Sequence, residues 1–228
     1  MTSDLRKRAR ATARTAIDAA NAELARGTLA EAEWYTRVTS ALATAYLVDS
    51  DPRWQSGFDG DAGLWREARE LVLDDVHRDG SFLDVGCATG HLMECLETWA
   101  GERGVRLATY GLELNPSLAR AAGERLPEHR ERIVEGNVID WRPSMRFDNV
   151  RTGLEYVPGR RRSYLIRRLL RDMVAPGGRL IVGPVPARDL DRALLVFKHA
   201  GVAAPTVREG HDRNGKTRYV LWVEKSRG

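Results

Sequence analysis

With 228 residues, 43% of them apolar, and six tryptophans, the chain is large enough to bury a core and too apolar to be disordered. No apolar run approaches the about 20 residues that cross a bilayer, and two cysteines, Cys87 and Cys95, are too few for a disulfide framework or a structural zinc site. The formal net charge of +4 permits an anionic or nucleic-acid partner. The positive charge is nearly all arginine, however, and is spread along the chain without a recognition motif.

The N-terminus, MTSDLRKRARATARTAIDAA, is basic but lacks the apolar stretch of a secretory signal, and Asp4 and Asp18 argue against a transit peptide. A reducing, cytoplasmic setting is the expectation. Residues 4–26 read as a helix with small apolar positions, closed by Gly27. A second helix is expected over 29–48, where Trp34, Val38, Leu42, Ala45 and Tyr46 share one face. The segment DSDPRWQSGFDGD (49–61) has loop chemistry. Asp61 is a candidate N-cap for a third helix burying Trp65, Ala68, Leu71, Val72 and Val76.

From residue 81 the pattern changes: SFLDVG, LATYGLEL, RIVEGN, FDNVRTGL and GRLIVGPV alternate with helical stretches. Such alternation predicts βαβ units and a parallel sheet. After a helix near 188–200, Asn214-Gly215 separates two strand-like runs, which predicts a closing antiparallel hairpin. The chain thus divides into a helical extension, 1–60, and an α/β unit, 61–228.

The chemistry concentrates in FLDVGCATGHL (82–92), an apolar strand ending in Asp84 and followed by Gly86 and Gly90. Glycines at a strand-to-helix turn let a ligand approach the backbone. A tight turn with no ligand is the plain alternative. The spacing Gly86-x-x-x-Gly90 differs from the GxGxxG that seats a pyrophosphate, which speaks against a dinucleotide enzyme. Glu113, at the end of the next strand, is placed to accept hydrogen bonds from both hydroxyls of a ribose.

Taken together, FLDVGCATG, GLELNP, VEGNVIDW, FDNVRTGLEYVP and LLRDMVAPGGRLIVG, in this order between residues 81 and 183, resemble the motifs of the class I S-adenosylmethionine-dependent methyltransferases. The resemblance implies an α/β, doubly wound, mostly parallel seven-stranded sheet with an antiparallel C-terminal hairpin, and S-adenosyl-L-methionine as cofactor. It implies further that Asp84, Gly86, Cys87 and Gly90 line the methionine and ribose part of that cofactor. Glu113 would bind the ribose and Leu114 would pack on adenine, with Asn137 and the backbone of Val138 meeting the adenine amino group. Gly153 and Leu154 would face the methionine end, with Glu155 and Tyr156 as the catalytic candidates.

The acceptor is less legible. The Asp/Asn-Pro-Pro-aromatic signature of amino-group methylation is missing after the fourth strand, and neither cysteine is placed for a cytosine C5 mechanism. Glu155 is the one carboxylate after that strand, so no metal is expected. Trp54, Gln55 and Phe58, in the loop before the core, are candidates to build the substrate pocket, as is His91 beside the glycine turn. Gln55 or Ser56 is a candidate to hold the methionine carboxylate, and a packed linker is the plain alternative for this loop. Of the six arginines from Arg160 to Arg171 most are expected to face solvent. The expectation is methyl transfer to a small molecule of specialised metabolism by a monomer or homodimer, with a nucleic acid or other macromolecule as the alternative acceptor and a non-catalytic partner subunit as a further one.

Overall fold

The computed structural model describes residues 3–227, so the outer limits expected for the two segments, residues 1 and 228, lie outside the described residues. Two long helices come first, α1 (Ser3–Arg26) and α2 (Glu31–Tyr46), followed by α3 (Ala62–Arg69), where the Asp61 side chain accepts from the Leu64 amide at 2.9 Å. The α/β part then runs β1 (Gly80–Val85), α4 (His91–Glu102), β2 (Leu107–Glu113), α5 (Pro116–Arg125), β3 (Ile133–Glu135) and β4 (Phe147–Thr152). It continues through α6 (Arg162–Arg168), β5 (Val174–Pro186), α7 (Leu190–His199) and the hairpin β6 (Thr206–His211) and β7 (Thr217–Glu224).

The strands form one seven-stranded sheet in the order β3-β2-β1-β4-β5-β7-β6, as the alternation and the resemblance imply. The first five strands pair in parallel, whereas β7 lies antiparallel between β5 and β6. The chain winds outward from β1 to β3 and then returns to lay β4 on the other side of β1. In open α/β sheets a crevice forms at the carboxyl ends of the strands where the order reverses.

Side-chain alternation along each strand feeds two cores. Leu83, Leu180, Val182 and Leu221 face one side with Leu165, Ile166, Leu169 and Phe197. Their neighbours Phe82, Ile181 and Val220 face the other with Trp65, Leu73, Leu96 and Trp99. The N-terminal helices share the first core through Ala20, Leu24, Trp34, Tyr35 and Val38. Glu31 anchors α2 to the turn before α6 by accepting from Arg160 at 2.9 Å and from Arg161 at 2.8 Å. Two of the expected solvent-facing arginines therefore brace the N-terminal helices.

Arg160 and Arg161 keep much of their exposure, whereas Arg168 is buried. Helix α6 gives way at Leu169–Met173 to a wider π turn, and Arg168 is only 1% exposed. Its Nε donates to the Val138 carbonyl at 2.9 Å, another guanidinium N–H reaches the Trp141 carbonyl, and Nη1 meets Asp172 at 3.0 Å. Pattern reading assigns an arginine to solvent because its charge is costly to bury; here backbone carbonyls and a carboxylate meet the donors. Arg168 thereby fixes the loop after β3. Replacing it (Arg168→Met) is expected to lower stability by about 3 kcal/mol, since buried carbonyls lose their donors. Urea unfolding checks this, and an unchanged midpoint would contradict the clamp.

Candidate active site

The turn after β1 is built on backbone shape. Gly86 has φ of 78°, and its amide donates to the Leu112 carbonyl at 2.7 Å, tying the turn to β2. A Cβ at Gly86 would lie 2.6 Å from the Tyr156 ring. Gly111 on β2 serves the same close approach from beneath, because a Cβ there would lie 2.6 Å from the Cys87 sulfur. Glu113 completes the junction: its two carboxylate oxygens accept from the amides of Ala88 and Asn115, each at 2.9 Å. Burial raises the Glu113 pKa and those backbone hydrogen bonds oppose the rise. A carboxylate oxygen has more than one lone pair, so both retain capacity for another donor.

These groups open into a cavity of about 260 Å³ at the carboxyl ends of the strands. Of the residues expected from the sequence, Asp84, Gly86, Cys87, Glu113, Leu114, Asn137, Val138, Glu155 and Tyr156 line it together. Helix α2 covers it with Trp34, Tyr35, Val38, Thr39, Leu42 and Tyr46. The Asn115 side chain donates to the Thr39 carbonyl at 3.2 Å and so links this cover to the turn after β2. The Tyr35 hydroxyl, beside Asn137, is buried and has no hydrogen-bond partner among the described residues.

Other expected residues stand elsewhere. Gly90 caps α4 and faces Leu126, and Gly153 and Leu154 do not line the cavity. Trp54 is 1% exposed; its indole donates to the Ala45 carbonyl at 2.8 Å and lies under the guanidiniums of Arg6 and Arg10. It is a packing residue because its one polar atom is already satisfied. Gln55 donates to the Asp49 carbonyl at 2.8 Å, and Phe58 packs edge-on against Trp65. His91 stacks on Trp65 with ring centroids 4.9 Å apart, and burial lowers its pKa. From that loop it is Ser56 and Gly57 that reach the cavity.

The residue that sequence reasoning missed is Arg151. It is 7% exposed on β4 and stands in register with Asp84 on β1. Its Nη1 donates to Asp84 at 2.9 Å and reaches the Tyr156 hydroxyl at 3.3 Å, while Nε donates to the Gly183 carbonyl at 2.7 Å. Burial pushes the Asp84 carboxyl up and Arg151 opposes that shift. Burial also works against the Arg151 charge, but Tyr156, Asp84 and Glu155 outweigh it and raise its pKa. The available signal was an arginine inside an otherwise strand-like run, a charge that needs a buried partner. Arg69 lines the cavity as well and was likewise not singled out, while Tyr46, read from the sequence as part of a helix packing face, lines it too.

Proton chemistry here is limited. Burial raises Tyr156 above its ordinary value and Tyr46 to about 12, so both hydroxyls are protonated at neutral pH and act as donors. Burial carries the Cys87 thiol well above its usual pKa, which withholds the nucleophilic thiolate. Among the described residues no group of three His, Cys, Asp or Glu side chains is arranged to hold a metal, and no helix is long and apolar enough to cross a membrane.

Gly86→Val would place a branched side chain against Tyr156 and force a β-branched residue into positive φ. A stability loss of about 1–3 kcal/mol is expected, with loss of the cavity. Thermal unfolding checks the first effect and calorimetric titration with S-adenosylhomocysteine the second; wild-type behaviour in both would contradict the placement of the site.

No protein-family model matches the chain. A curated relative, ribosomal protein L11 methyltransferase from Paraburkholderia phymatum, is 26% identical over 154 residues, which is 68% of this chain and 48% of that protein. The chain thus spans about half the length of the curated relative it matches. Among solved structures, 1,6-didemethyltoxoflavin-N1-methyltransferase from Burkholderia thailandensis, with 1,6-didemethyltoxoflavin and S-adenosylhomocysteine bound, superposes with a TM-score of 0.60 at 17% identity, covering 87% of this chain and 91% of that one. The cyclase SpnF gives 0.59 at 16%, over 85% and 97%. A Methanococcus maripaludis protein described as a S-adenosylmethionine-dependent methyltransferase gives 0.55 at 13%, over 70% and 85%. The chain has the fold of the class I S-adenosylmethionine-dependent methyltransferases.

Proposed function

We propose that this protein is an S-adenosylmethionine-dependent methyltransferase acting on a small molecule. The observation that carries the reading is the cavity at the β1–β4 switch point, where the Gly86 turn, Glu113 and Asn137 converge under α2. The residues present fit an adenosyl cofactor. A Cβ at Gly86 would narrow the space, Glu113 keeps capacity for ribose hydroxyls, and the Tyr35 hydroxyl beside Asn137 awaits a partner. Asp84, Gly86, Cys87, Glu113, Leu114, Asn137 and Val138 would hold it, and bound there it supplies a methyl group already activated on sulfonium.

The chain's own residues then have three tasks. Helix α2 excludes water from the cavity, which strengthens every charge interaction inside. Arg151 holds the Asp84 carboxylate and the Tyr156 hydroxyl in fixed positions beside the turn. Tyr156, protonated at neutral pH, orients an acceptor by donating a hydrogen bond, and Glu155 is the exposed carboxylate on that side available to take a proton.

The cover that α2 places over the cavity favours a small acceptor over a folded macromolecule, as does the small substrate named for the Burkholderia thailandensis structure. A second reading, methylation of a protein, draws on the name of the curated relative. The named cyclase on this fold supports a third, in which the fold serves another reaction. A cytoplasmic monomer or homodimer in small-molecule biosynthesis is the setting that goes with the first.

Calorimetric titration with S-adenosylhomocysteine, with NADH as control, tests the reading. Binding of S-adenosylhomocysteine alone is expected. Binding of NADH, or of neither, would contradict it.

A further inference from the structure

The cavity is divided by charge. Its β1–β2 half carries the carboxylates Asp84 and Glu113, and Glu113 is engaged with backbone amides. The other half gathers guanidiniums, with Arg151 on β4 and Arg69 at the end of α3 in its lining. Arg151 is neutralised by Asp84. Arg69, the last residue of α3, is not neutralised. It lines the cavity, makes no ion pair among the described residues, and has a single hydrogen bond, 3.3 Å to the neighbouring Ala68 carbonyl. Its guanidinium lies 4.9 Å from the Trp65 ring and 5.5 Å from the Phe58 ring, contacts that hold a cation in place without cancelling its charge.

A second cation stands nearby. Arg218 on β7 has a buried Nε with no hydrogen-bond partner among the described residues and only a loose 3.8 Å approach to Asp212. Burial, together with the charges of Arg151 and Arg218, lowers the Arg69 pKa to about 10. That is the signature of cations crowded in a desolvated place. Asp84, whose carboxyl also feels the Arg69 charge, is engaged by Arg151. Glu155, the other carboxylate on this side, is exposed, forms no ion pair among the described residues, and lies over Gly153. The other polar groups facing Arg69, the hydroxyls of Tyr46 and Tyr156, are protonated at neutral pH. A half-buried cation in this cavity without an ion-pair partner is a ready site for an anion supplied from outside.

We propose that the acceptor is a small anionic molecule whose carboxylate, or a comparable oxyanion, is held by Arg69 with Arg218 behind it. This assignment deepens the methyltransferase reading and rests on it. The aromatic walls at this end, Trp65, Tyr46 and Tyr156, suit a flat apolar body attached to that anion.

The test uses the full chain loaded with S-adenosylhomocysteine and two probes of equal shape, benzoate and benzamide, followed by protein-detected NMR titration. Wild-type protein is expected to bind benzoate at least about ten-fold more tightly than benzamide, and Arg69→Gln to erase that preference. Equal binding of the two probes by wild-type protein, or binding of neither, overturns the proposal even if the variant does not fold. The affinity of Arg69→Gln for S-adenosylhomocysteine and for 5′-methylthioadenosine, which lacks the amino-acid carboxylate, is read in parallel. Both are expected near wild-type values. A loss confined to S-adenosylhomocysteine would assign Arg69 to the cofactor's own carboxylate and overturn the proposal. Failure of wild-type protein to bind S-adenosylhomocysteine at all would instead strike the methyltransferase reading itself.

Discussion

The buried ion pair between Asp84 and Arg151 is the interaction on which the site depends. The two residues belong to adjacent parallel strands and face each other in register at 2.9 Å, with side chains 2% and 9% exposed. Neither charge could be kept out of water alone, and the attraction between them offsets the desolvation only because further hydrogen bonds complete the guanidinium. Those bonds go to the Gly183 carbonyl on β5 and toward Tyr156 in the turn after β4. One side chain therefore joins the ends of three strands and seats the aromatic ring that rests over Gly86. The same pair draws the boundary between the acidic and the basic halves of the cavity.

A second carboxylate does for the β2 side what the ion pair does for β4. Glu113 binds the Ala88 and Asn115 amides, so the turns after β1 and β2 move as one unit. Asn115 then caps α5 through the amides of Ser117 and Leu118 and holds the Thr39 carbonyl of α2 with its other end. Through these contacts the N-terminal helices belong to the site. They share its core, cover its cavity and are braced from the far side by the Glu31 contacts with Arg160 and Arg161.

What could be read from the sequence was local. Strand alternation in SFLDVG and GRLIVG, the turn at Gly86, the cap at Asp61 and the hairpin at Asn214-Gly215 each follow from a few neighbouring residues, and each has its counterpart in the fold. What escaped was long-range. Arg151 meets Asp84 across 67 positions, Arg168 meets Val138 across 30, and Arg69 ends a short helix that looks ordinary on its own. Trp54 misled for the converse reason. An aromatic in a polar loop beside the core reads as a pocket residue, yet the chain folds α1 over it and satisfies its indole on Ala45. Arginine is hard to place from sequence because its stem is apolar while its charge is not, and only tertiary contacts decide which wins.

The fold alone leaves the reaction open, since similar structures carry the names of methyltransferases and of a cyclase. What distinguishes the reactions is where ligand groups would meet fixed partners in the site. The most direct measurement is a crystal structure of the protein with S-adenosylhomocysteine. The account predicts the ligand over the Gly86 turn, with both ribose hydroxyls on Glu113 and adenine beside Asn137 and Val138. Ligand density outside this cavity, or a ribose that leaves Glu113 untouched, would contradict it.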